Sequence, residues 1–355
     1  MKDLGLVAQA KDDADSSSSN KEKRIFCAGL LCLDIISICK EFPQEDSDQR
    51  CIERFWQRGG NASNNTTVLS ILGVPCEFFG TIAKSHEVLF FTSDFEKNGI
   101  HIENCVYHAN HSCSTSFVII NVQNGSRTII NSNKSLPDLT FQDFKTKVDL
   151  NSGLYKWMHF EGRPAAAEIK KMLAYVDDYN ASVGESKRIT TSVELEKPRP
   201  QLGMLFNTAD YVFVSKDYAR HHGYDNKEDA LNAFFTRIRP GATLILPWGE
   251  HGAVAMKKEG EIIYTPAFPP ESIVDTLGAG DTFIASTIYN ISNGIGLREA
   301  ITFGCKLAGA KVGMNGFMGL KKKLEAMRAN SANCSGAAAN KSVVDVESTQ
   351  IEAPI

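Results

Sequence analysis

The sequence has 355 residues, enough for one large α/β domain or two smaller ones. Its net charge of −4 gives no electrostatic reason to expect a nucleic acid or an anionic membrane as a partner. No apolar run reaches the roughly 18–20 residues that a membrane span needs. The nine cysteines are odd in number and include no C-x-x-C pair, which favours a reducing, cytoplasmic location over a disulfide-bonded secreted protein.

The two ends of the chain differ in composition from its middle. Residues 1–23 are polar and lack the apolar core of a signal peptide, so they are predicted to form a disordered arm. Residues 321–355 begin with three lysines and continue with alanine, serine and asparagine, and are predicted to form a short basic helix end and a flexible tail. The folded body is therefore predicted to span 24–320.

The first half of the folded body combines two kinds of predicted secondary structure. The apolar run 25–33 is typical of a strand buried on both faces, and Gly59-Gly60 leads into a helix with apolar residues on one side. The segments 34–58 and 106–131 instead read as antiparallel β structure, and the second contains a hairpin with an Asn-Gly turn. They predict a small β lid folded over the ligand edge of a larger sheet.

From residue 157 onward, predicted strands alternate with predicted helices. The strands are 157–161, 189–194, 211–215 and 244–248, and the helices include 165–180, 227–239, 281–292 and 297–311. This alternation predicts a parallel sheet covered by helices on both faces.

Polar residues follow most of these strands. They are Asp34, Glu161 to Arg163, Glu194 to Glu196, Ser215 to Asp217, and Trp248 to Glu250. Ligands of open α/β sheets bind at the carboxyl ends of the strands, so this convergence predicts a ligand site there.

The segment 274–283, VDTLGAGDTF, precedes an apolar run with helical spacing. A Gly-Ala-Gly turn at 278–280 that opens a helix leaves backbone N–H groups free to bind an anion, typically a phosphate. Asp281 follows directly and is predicted to be a base, kept ionised by the helix N-terminus; the alternative is a plain helix cap. The turn lacks the third small residue of a dinucleotide fingerprint and the Gly-Lys-Ser/Thr of a Walker A loop.

The segments GGNASN at 59–64 and DTLGAGD at 275–281 resemble the ribokinase-like (PfkB) carbohydrate kinases, and the resemblance runs from about 24 to 319. The segments 56–64, 161–163, 193–199 and 212–217 are most similar to the branch of that family that phosphorylates ketohexoses. The resemblance implies a three-layer α/β/α core with a small β-sheet lid and transfer from ATP to the 1-hydroxyl of a ketohexose such as D-fructose. It also implies Mg²⁺, leaves K⁺ open as a further cation, and implies a homodimer formed through the lids.

The site residues follow from the resemblance by position. Asp281 matches the catalytic base, and Gly278, Ala279 and Gly280 match the anion hole. The predicted sugar-binding residues are Asp34, Asp46, Gly60, Asn61, Asn64, Arg127, Glu161 and Asp281. The predicted ATP-binding residues are Arg127, Lys216, Trp248, Glu250, Gly252, Gly278, Gly280, Phe283 and Cys305.

Several of these residues also have a plainer interpretation. Arg127 can be a solvated strand charge, Lys216 an ordinary lysine at a helix start, and Trp248 a core residue. Asn61 can cap its helix, Asp46 can be a loop acid, and Glu161 can form a local ion pair with Arg163.

One departure from the family pattern bears on the metal. Ser215-Lys216-Asp217-Tyr218 stands where most members carry Asn-x-x-Glu. The missing glutamate predicts that Mg²⁺ is held by ATP phosphates and water, without direct protein ligands. Two other functions stay open: a kinase for ribose, tagatose or adenosine on the same fold, or a non-catalytic sugar or nucleotide sensor.

Overall fold

The structure is a computed structural model in which residues 22–124, 126–133, 136–257 and 261–339 are described. The strands are β1 (Arg24–Ala28), β2 (Cys32–Cys39), β3 (Glu53–Gly59), β4 (Cys76–Phe79), β5 (Thr81–Ala83), β6 (Val106–His108), β7 (Ser114–Asn121), β8 (Ser126–Ser132), β9 (Tyr155–Glu161), β10 (Thr190–Leu195), β11 (Tyr211–Val214), β12 (Thr243–Pro247), β13 (Ala253–Met256) and β14 (Ile262–Thr265). The α-helices are α1 (Asn61–Leu72), α2 (Val88–Lys97), α3 (Phe141–Lys147), α4 (Ala166–Ser182), α5 (Lys216–His221), α6 (Lys227–Phe235), α7 (Ala279–Ser292), α8 (Leu297–Val312) and α9 (Leu320–Ala339).

The main sheet has eight strands in the order β14-β13-β12-β11-β10-β9-β1-β4. The strands from β12 to β4 pair in parallel, whereas β13 and β14 pair antiparallel. The prediction of a parallel sheet is therefore wrong at this edge. The connection from β12 to β13 covers only residues 248–252, too short for the helical crossover that parallel strands need.

Helices cover both faces of this sheet, as the sequence predicts. In β1, Ile25 and Cys27 enter the core beneath α1 and α7, whereas Phe26 and Ala28 enter the core beneath α3 and α4. Because successive side chains of a strand point to opposite faces, a strand covered on both sides must be apolar at every position. This explains the near-continuous apolar run at the start of the body.

A second sheet of four strands, β3-β2-β7-β8, forms the lid. The predicted single strand 25–33 is wrong, because β1 ends in the main sheet and β2 begins in the lid. The chain turns between the two strands at residues 29–31, where the Glu161 side chain packs directly against the backbone. A Cβ on Gly29 would lie only 2.5 Å from Glu161 Oε2. The segment 106–113 also lies outside the lid, because β6 pairs with β5 in a separate two-stranded sheet.

The predicted ends of the body shift. Residues 1–21 of the predicted arm and 340–355 of the predicted tail lie outside the described residues. The helix end predicted at the start of this tail is the helix α9, which runs from Leu320 to Ala339 and is longer than the sequence suggests. Leu320 and Leu324, spaced by four, are buried against the core that also contains α1 and α7. That short apolar stripe is hidden in a segment whose overall composition is polar.

Candidate active site

The N-terminus of α7 forms one wall of the candidate site. Gly278 adopts φ +75°, a left-handed conformation that favours glycine, and a Cβ there would lie 2.6 Å from Phe317 Cζ. In the described part of the chain, the N–H groups of Gly280 and Asp281 have no hydrogen-bond acceptor. A Cβ built on Gly280 would meet no other described atom within 4 Å. The turn therefore presents backbone donors that the described chain leaves unpaired, at the end of a helix where an anion is favoured.

Asp281 is buried, with 6% of its surface exposed. Its Oδ2 accepts a hydrogen bond from Asn64 Nδ2 at 2.7 Å, and its backbone carbonyl accepts one from Asn65 Nδ2 at 3.0 Å. Burial raises the pKa of Asp281 to about 7, and the hydrogen bond from Asn64 opposes the rise. The sequence predicts that the helix N-terminus keeps Asp281 ionised, but desolvation is the largest effect on its pKa and favours the protonated form. A carboxyl group with a pKa near 7 suits a general base at neutral pH.

The start of α1 brings two predicted sugar-binding residues together. Gly60 has φ +98°, and a Cβ on it would overlap Leu30 O, so only glycine lets the chain enter the helix here. Asn64 faces Asp281, and Asn61 Nδ2 donates to Glu196 Oε2 at 2.8 Å and to the Glu194 carboxylate at 3.3 Å. Polar side chains of helix α1 and of the end of β10 therefore form one wall of the candidate site.

Asp34 lies on the inner face of the lid. In the paired strands it stands opposite Gln57 and Ser116, and Cys32 Sγ donates to its Oδ1 at 3.3 Å. It is buried, which raises its pKa, and the hydrogen bond from Cys32 opposes that rise. Asp34 does not end a core strand, as the sequence suggested, but sits inside β2 where the lid covers the core.

Arg127 connects the lid to the turn at 275–280 before α7, here called the phosphate turn because the sequence predicts a phosphate site there. Its partner across the sheet is Ile120, whose side chain is on the same face of β7 as that of Ser116 because the two are four residues apart. Ser116 is paired with Asp34, so Arg127 and Asp34 lie on the same, inner face of the lid. The Nη1 of Arg127 donates to Thr276 Oγ1, two residues before the Gly-Ala-Gly segment. The lid arginine therefore reaches the edge of the candidate anion site.

Glu161 is occupied by protein donors. Its Oε2 accepts from Leu30 N at 2.9 Å and Ala62 N at 3.1 Å, and its Oε1 accepts from Arg163 at 3.3 Å. Leu30 lies where the chain leaves the core for the lid, and Ala62 lies where it returns. This arrangement favours the interpretation of Glu161 as a local ion-pair and anchoring residue over a sugar contact.

The predicted ATP residues lie near the ends of β11 to β13 and on α7 and α8. Lys216 Nζ pairs with Glu250 Oε1 at 2.6 Å, and Trp248 is buried. Gly252 has φ +77° and closes the turn between β12 and β13. Burial raises the pKa of Cys305 to about 11, so its thiol is un-ionised at neutral pH.

Two predicted residues stand apart from this group. Phe283 is buried in the core, and its ring packs against the backbone of Gly304. A Cβ on Gly304 would lie only 2.9 Å from Phe283 Cδ2, so the side chain of Phe283 contributes to packing. Asp46 is exposed in the loop between β2 and β3, with φ +55°. In the described chain, no hydrogen bond or ion pair joins it to the other predicted sugar-binding residues.

Metal and membrane features can be assessed for the described residues. Among them, no group of three or more His, Cys, Asp or Glu side chains is arranged to hold a metal ion. No helix in the described ranges is long and apolar enough to cross a membrane.

Residues 22–322 match the profile of the pfkB family of carbohydrate kinases. The chain is 45% identical to ketohexokinase of Mus musculus over 300 residues, which cover 84% of this chain and 99% of that protein. The chain belongs to the pfkB carbohydrate kinase family. The predicted ribokinase-like fold is confirmed by solved structures.

Other similar proteins are more diverged in sequence. Ribokinase from Giardia lamblia superposes with a TM-score of 0.74 at 14% identity, covering 87% of this chain and 99% of that one. Adenosine kinase from Sinorhizobium meliloti superposes with a TM-score of 0.70 at 19% identity, covering 86% of this chain and 99% of that one. Fructokinase-2 from Oryza sativa subsp. japonica is 23% identical over 69% of this chain and 76% of its own length.

Sequence reasoning missed some residues of this pfkB kinase site. Asn65 adjoins Asn64 in the sequence, so its role at the Asp281 carbonyl could have been suspected from that doublet. Asp275 lies inside the recognised motif but was given no role. Lys311, which binds Asp275, sits in an amphipathic helix where a lysine normally faces water, so no sequence signal marks it.

Proposed function

We propose that this carbohydrate kinase transfers the γ-phosphoryl group of ATP to the 1-hydroxyl of D-fructose. The observation that carries the proposal is the buried Asp281 at the N-terminus of α7, in a chain 45% identical to a ketohexokinase. A pocket that holds a base with a pKa near 7 beside free backbone donors suits transfer of a phosphoryl group to an alcohol.

The proposed reaction is a direct in-line displacement without a phosphoenzyme. The hydrogen bond from Asn64 occupies Oδ2 of Asp281, which leaves Oδ1 to accept the proton of the sugar hydroxyl. The hydroxyl oxygen attacks the γ-phosphorus, the bond to the β-γ bridging oxygen breaks, and ADP leaves. The N–H groups of Gly280 and Asp281 donate to the oxygens of the transferred group, where charge develops.

The remaining predicted residues hold the two substrates. Asp34, Asn61 and Asn64 supply acceptors and donors for the sugar hydroxyls from the lid and from α1, and the backbone of Gly60 adjoins them. Lys216, Glu250 and Gly252 lie on the side proposed for the nucleotide. Mg²⁺ bound to the triphosphate neutralises part of its charge, and K⁺ is proposed as a further cation whose need is tested by exchanging KCl for choline chloride.

The lid is proposed to exclude water from the site. Arg127, by joining the inner lid face to Thr276, brings a positive charge to the proposed position of the phosphates. An open site with a competent base would hydrolyse ATP, so closure before transfer protects the donor.

We further propose a homodimer formed through the outer faces of the lids. Trp56, Ile35, Phe117 and Ile130 are cross-strand partners and form an apolar row across all four strands. Trp56, Phe117 and Ile130 are 46%, 49% and 59% exposed, which is unusual for neighbouring large apolar side chains on one sheet face. Burying this row against a second copy would remove the exposed patch.

Location and domain limits are also proposals. Eight cysteines in the described ranges are free and seven of them are buried, which suits a reducing cytoplasm. One kinase domain that begins at about 24 and continues into α9, with an arm before it and a tail after it, accounts for the sequence composition and for the burial of Leu324.

A substrate panel tests the proposed activity. ADP release is measured with D-fructose, D-tagatose, D-ribose and adenosine at equal concentrations, and D-fructose is expected to give the highest kcat/KM. Faster turnover of ribose or adenosine would replace fructose with that substrate. Saturable sugar binding by calorimetry without ADP release would instead indicate a sensor.

A further inference from the structure

The only fully buried lysine in the described chain, Lys311 on α8, lies next to the phosphate turn. Its Nζ donates to Asp275 Oδ2 at 2.6 Å and to the Asp275 carbonyl at 3.0 Å. Desolvating an ammonium ion costs several kcal/mol even when it is paired, so a buried lysine needs an explanation. Apolar residues could fill the same volume without that cost.

Asp275 passes this contact on to the turn. Its Oδ1 accepts from Leu277 N at 2.8 Å, and its Oδ2 also accepts from Gly316 N at 3.1 Å. The backbone N–H groups of Val274 and Asp275 donate to Val312 O at the end of α8. The strand-like segment that leads into the anion site is therefore fixed to the end of α8 through one carboxylate and one ammonium.

A second contact reaches the turn from the same lysine. Lys311 Nζ lies 5.7 Å from the centre of the Phe317 ring, and that ring packs directly against Gly278. Gly278 holds the left-handed turn that aims the N–H groups of Gly280 and Asp281. Lys311 thus supports this turn both through Asp275 and through Phe317.

We infer that Lys311 is a positioning residue for phosphoryl transfer, whose buried ammonium holds the 275–278 turn in the shape that aims the donors at 280 and 281. The inference rests on the proposed kinase function. It assigns Lys311 an effect on the transferred phosphoryl group and little effect on the sugar, because the sugar residues belong to the lid and α1. The role is electrostatic, since the ammonium balances Asp275 where water does not reach.

The test compares two substitutions that differ in the space they leave. Lys311→Met fills most of the volume without charge, and Lys311→Ala leaves a cavity beside Asp275. Both are expected to lower kcat at least about 10-fold while the KM for the sugar changes less than about 3-fold. Lys306→Met, on an exposed position of the same helix, is the matched control and is expected to keep wild-type kcat.

Cation rescue separates positioning from simple destabilisation. Ammonium or methylammonium, added at constant ionic strength against tetramethylammonium, is expected to raise kcat several-fold in Lys311→Ala and to leave Lys311→Met unchanged. Circular dichroism at the assay temperature confirms that each variant is folded. A folded Lys311→Met with kcat within twofold of wild type overturns the inference, and so does an equal response of both variants to ammonium.

The proposed function can fail separately from this inference. If wild-type protein turns over a sugar other than fructose, the same comparison is made with that sugar. If no sugar is turned over, affinity for ADP by calorimetry takes the place of kcat. A loss of affinity in Lys311→Met and its ammonium-dependent recovery in Lys311→Ala then support the inference, and unchanged affinity overturns it.

Discussion

At the scale of single residues, the proposed chemistry depends on how Asp281 is buried. A carboxylate at a helix N-terminus is stabilised by the helix dipole and its free N–H groups. In this protein burial outweighs that effect and raises the pKa of Asp281 to about 7. The free energy stored in the raised pKa makes the carboxylate a stronger base, which is the property that proton removal from a sugar hydroxyl requires.

Asp281→Asn is expected to lower kcat by about 10²–10⁴-fold, the usual contribution of a general base. The same change is expected to stabilise the fold at pH 8. The folded-state pKa of about 7 lies above the ordinary value of 3.8, so the folded state holds the proton more tightly than the unfolded state. The folded state therefore loses stability as pH rises from about 4 to about 7.

The stability difference between Asp281→Asn and wild type is therefore expected to be on the order of 2–4 kcal/mol at pH 8 and near zero at pH 4. Chemical denaturation at the two pH values measures it. Asp46→Asn, at an exposed position, serves as the control and is expected to change stability at neither pH. A variant with more than a tenth of wild-type kcat would exclude Asp281 as the base.

The pH dependence of activity follows from the same pKa. Because the base must be deprotonated, kcat/KM is expected to rise between pH 6 and pH 8 with an apparent pKa near 7. The hydrogen bond from Asn64 lowers that pKa, so Asn64→Ala is expected to move the rise in kcat/KM to higher pH. The same substitution is expected to weaken sugar binding. A shift to lower pH, or a flat wild-type profile over this range, contradicts the assignment.

At the scale of elements, the lid and the core meet through a few polar contacts. Glu161 anchors both points where the first lid strands leave and rejoin the core, and Arg127 bridges the inner lid face to Thr276. These contacts place the lid over Asp281 and the start of α1. Because Glu161 accepts hydrogen bonds from both Leu30 N and Ala62 N, its replacement is expected to loosen the lid.

How far the sequence predicts these elements depends on the kind of signal. The motif at 275–281 and the helix start at 59–64 are local, and both lie where the sequence places them. The break at 29–31 could not be predicted, because β1 and β2 are both apolar and their assignment to different sheets is decided by Glu161, 131 positions after Leu30. The role of Lys311 likewise depends on a partner 36 positions away.

Arg127→Ala tests the lid contact. It is expected to lower kcat about 10–100-fold and to raise the KM for ATP, because a positive charge beside the phosphates and a lid contact are lost together. Steady-state kinetics with ATP and sugar varied in turn measure both effects. Arg298→Ala, on the exposed side of α8, is the control, and equal kinetics for the two variants would show that Arg127 acts only as a surface charge.

At the scale of the whole molecule, the two faces of the lid differ in character. The inner face carries Asp34, Ser116 and Arg127, whereas the outer face carries the apolar row that includes Phe117. One sheet can therefore close a site and join two copies of the chain. The main sheet has no free face for either role, because helices cover both of its faces.

Phe117→Asp is expected to convert the protein from a dimer to a monomer, because it places a charge in the centre of the apolar row. Light scattering after size-exclusion chromatography measures the mass. Ile295→Asp, which alters an exposed apolar residue between α7 and α8, is the control and is expected to leave the mass unchanged. A wild-type protein that elutes as a monomer at micromolar concentration would contradict the proposed dimer.

The most direct test of the proposed activity is the position of the phosphate in the product. Wild-type protein is incubated with ATP, Mg²⁺ and D-fructose, and the product is examined by proton-coupled ³¹P and ¹³C nuclear magnetic resonance. We expect fructose 1-phosphate, identified by coupling of phosphorus to carbon 1 and its two protons, and at least about 100-fold slower product formation with Asp281→Asn. Phosphate on the 6-hydroxyl, or no sugar phosphate while ATP is consumed, would contradict the account.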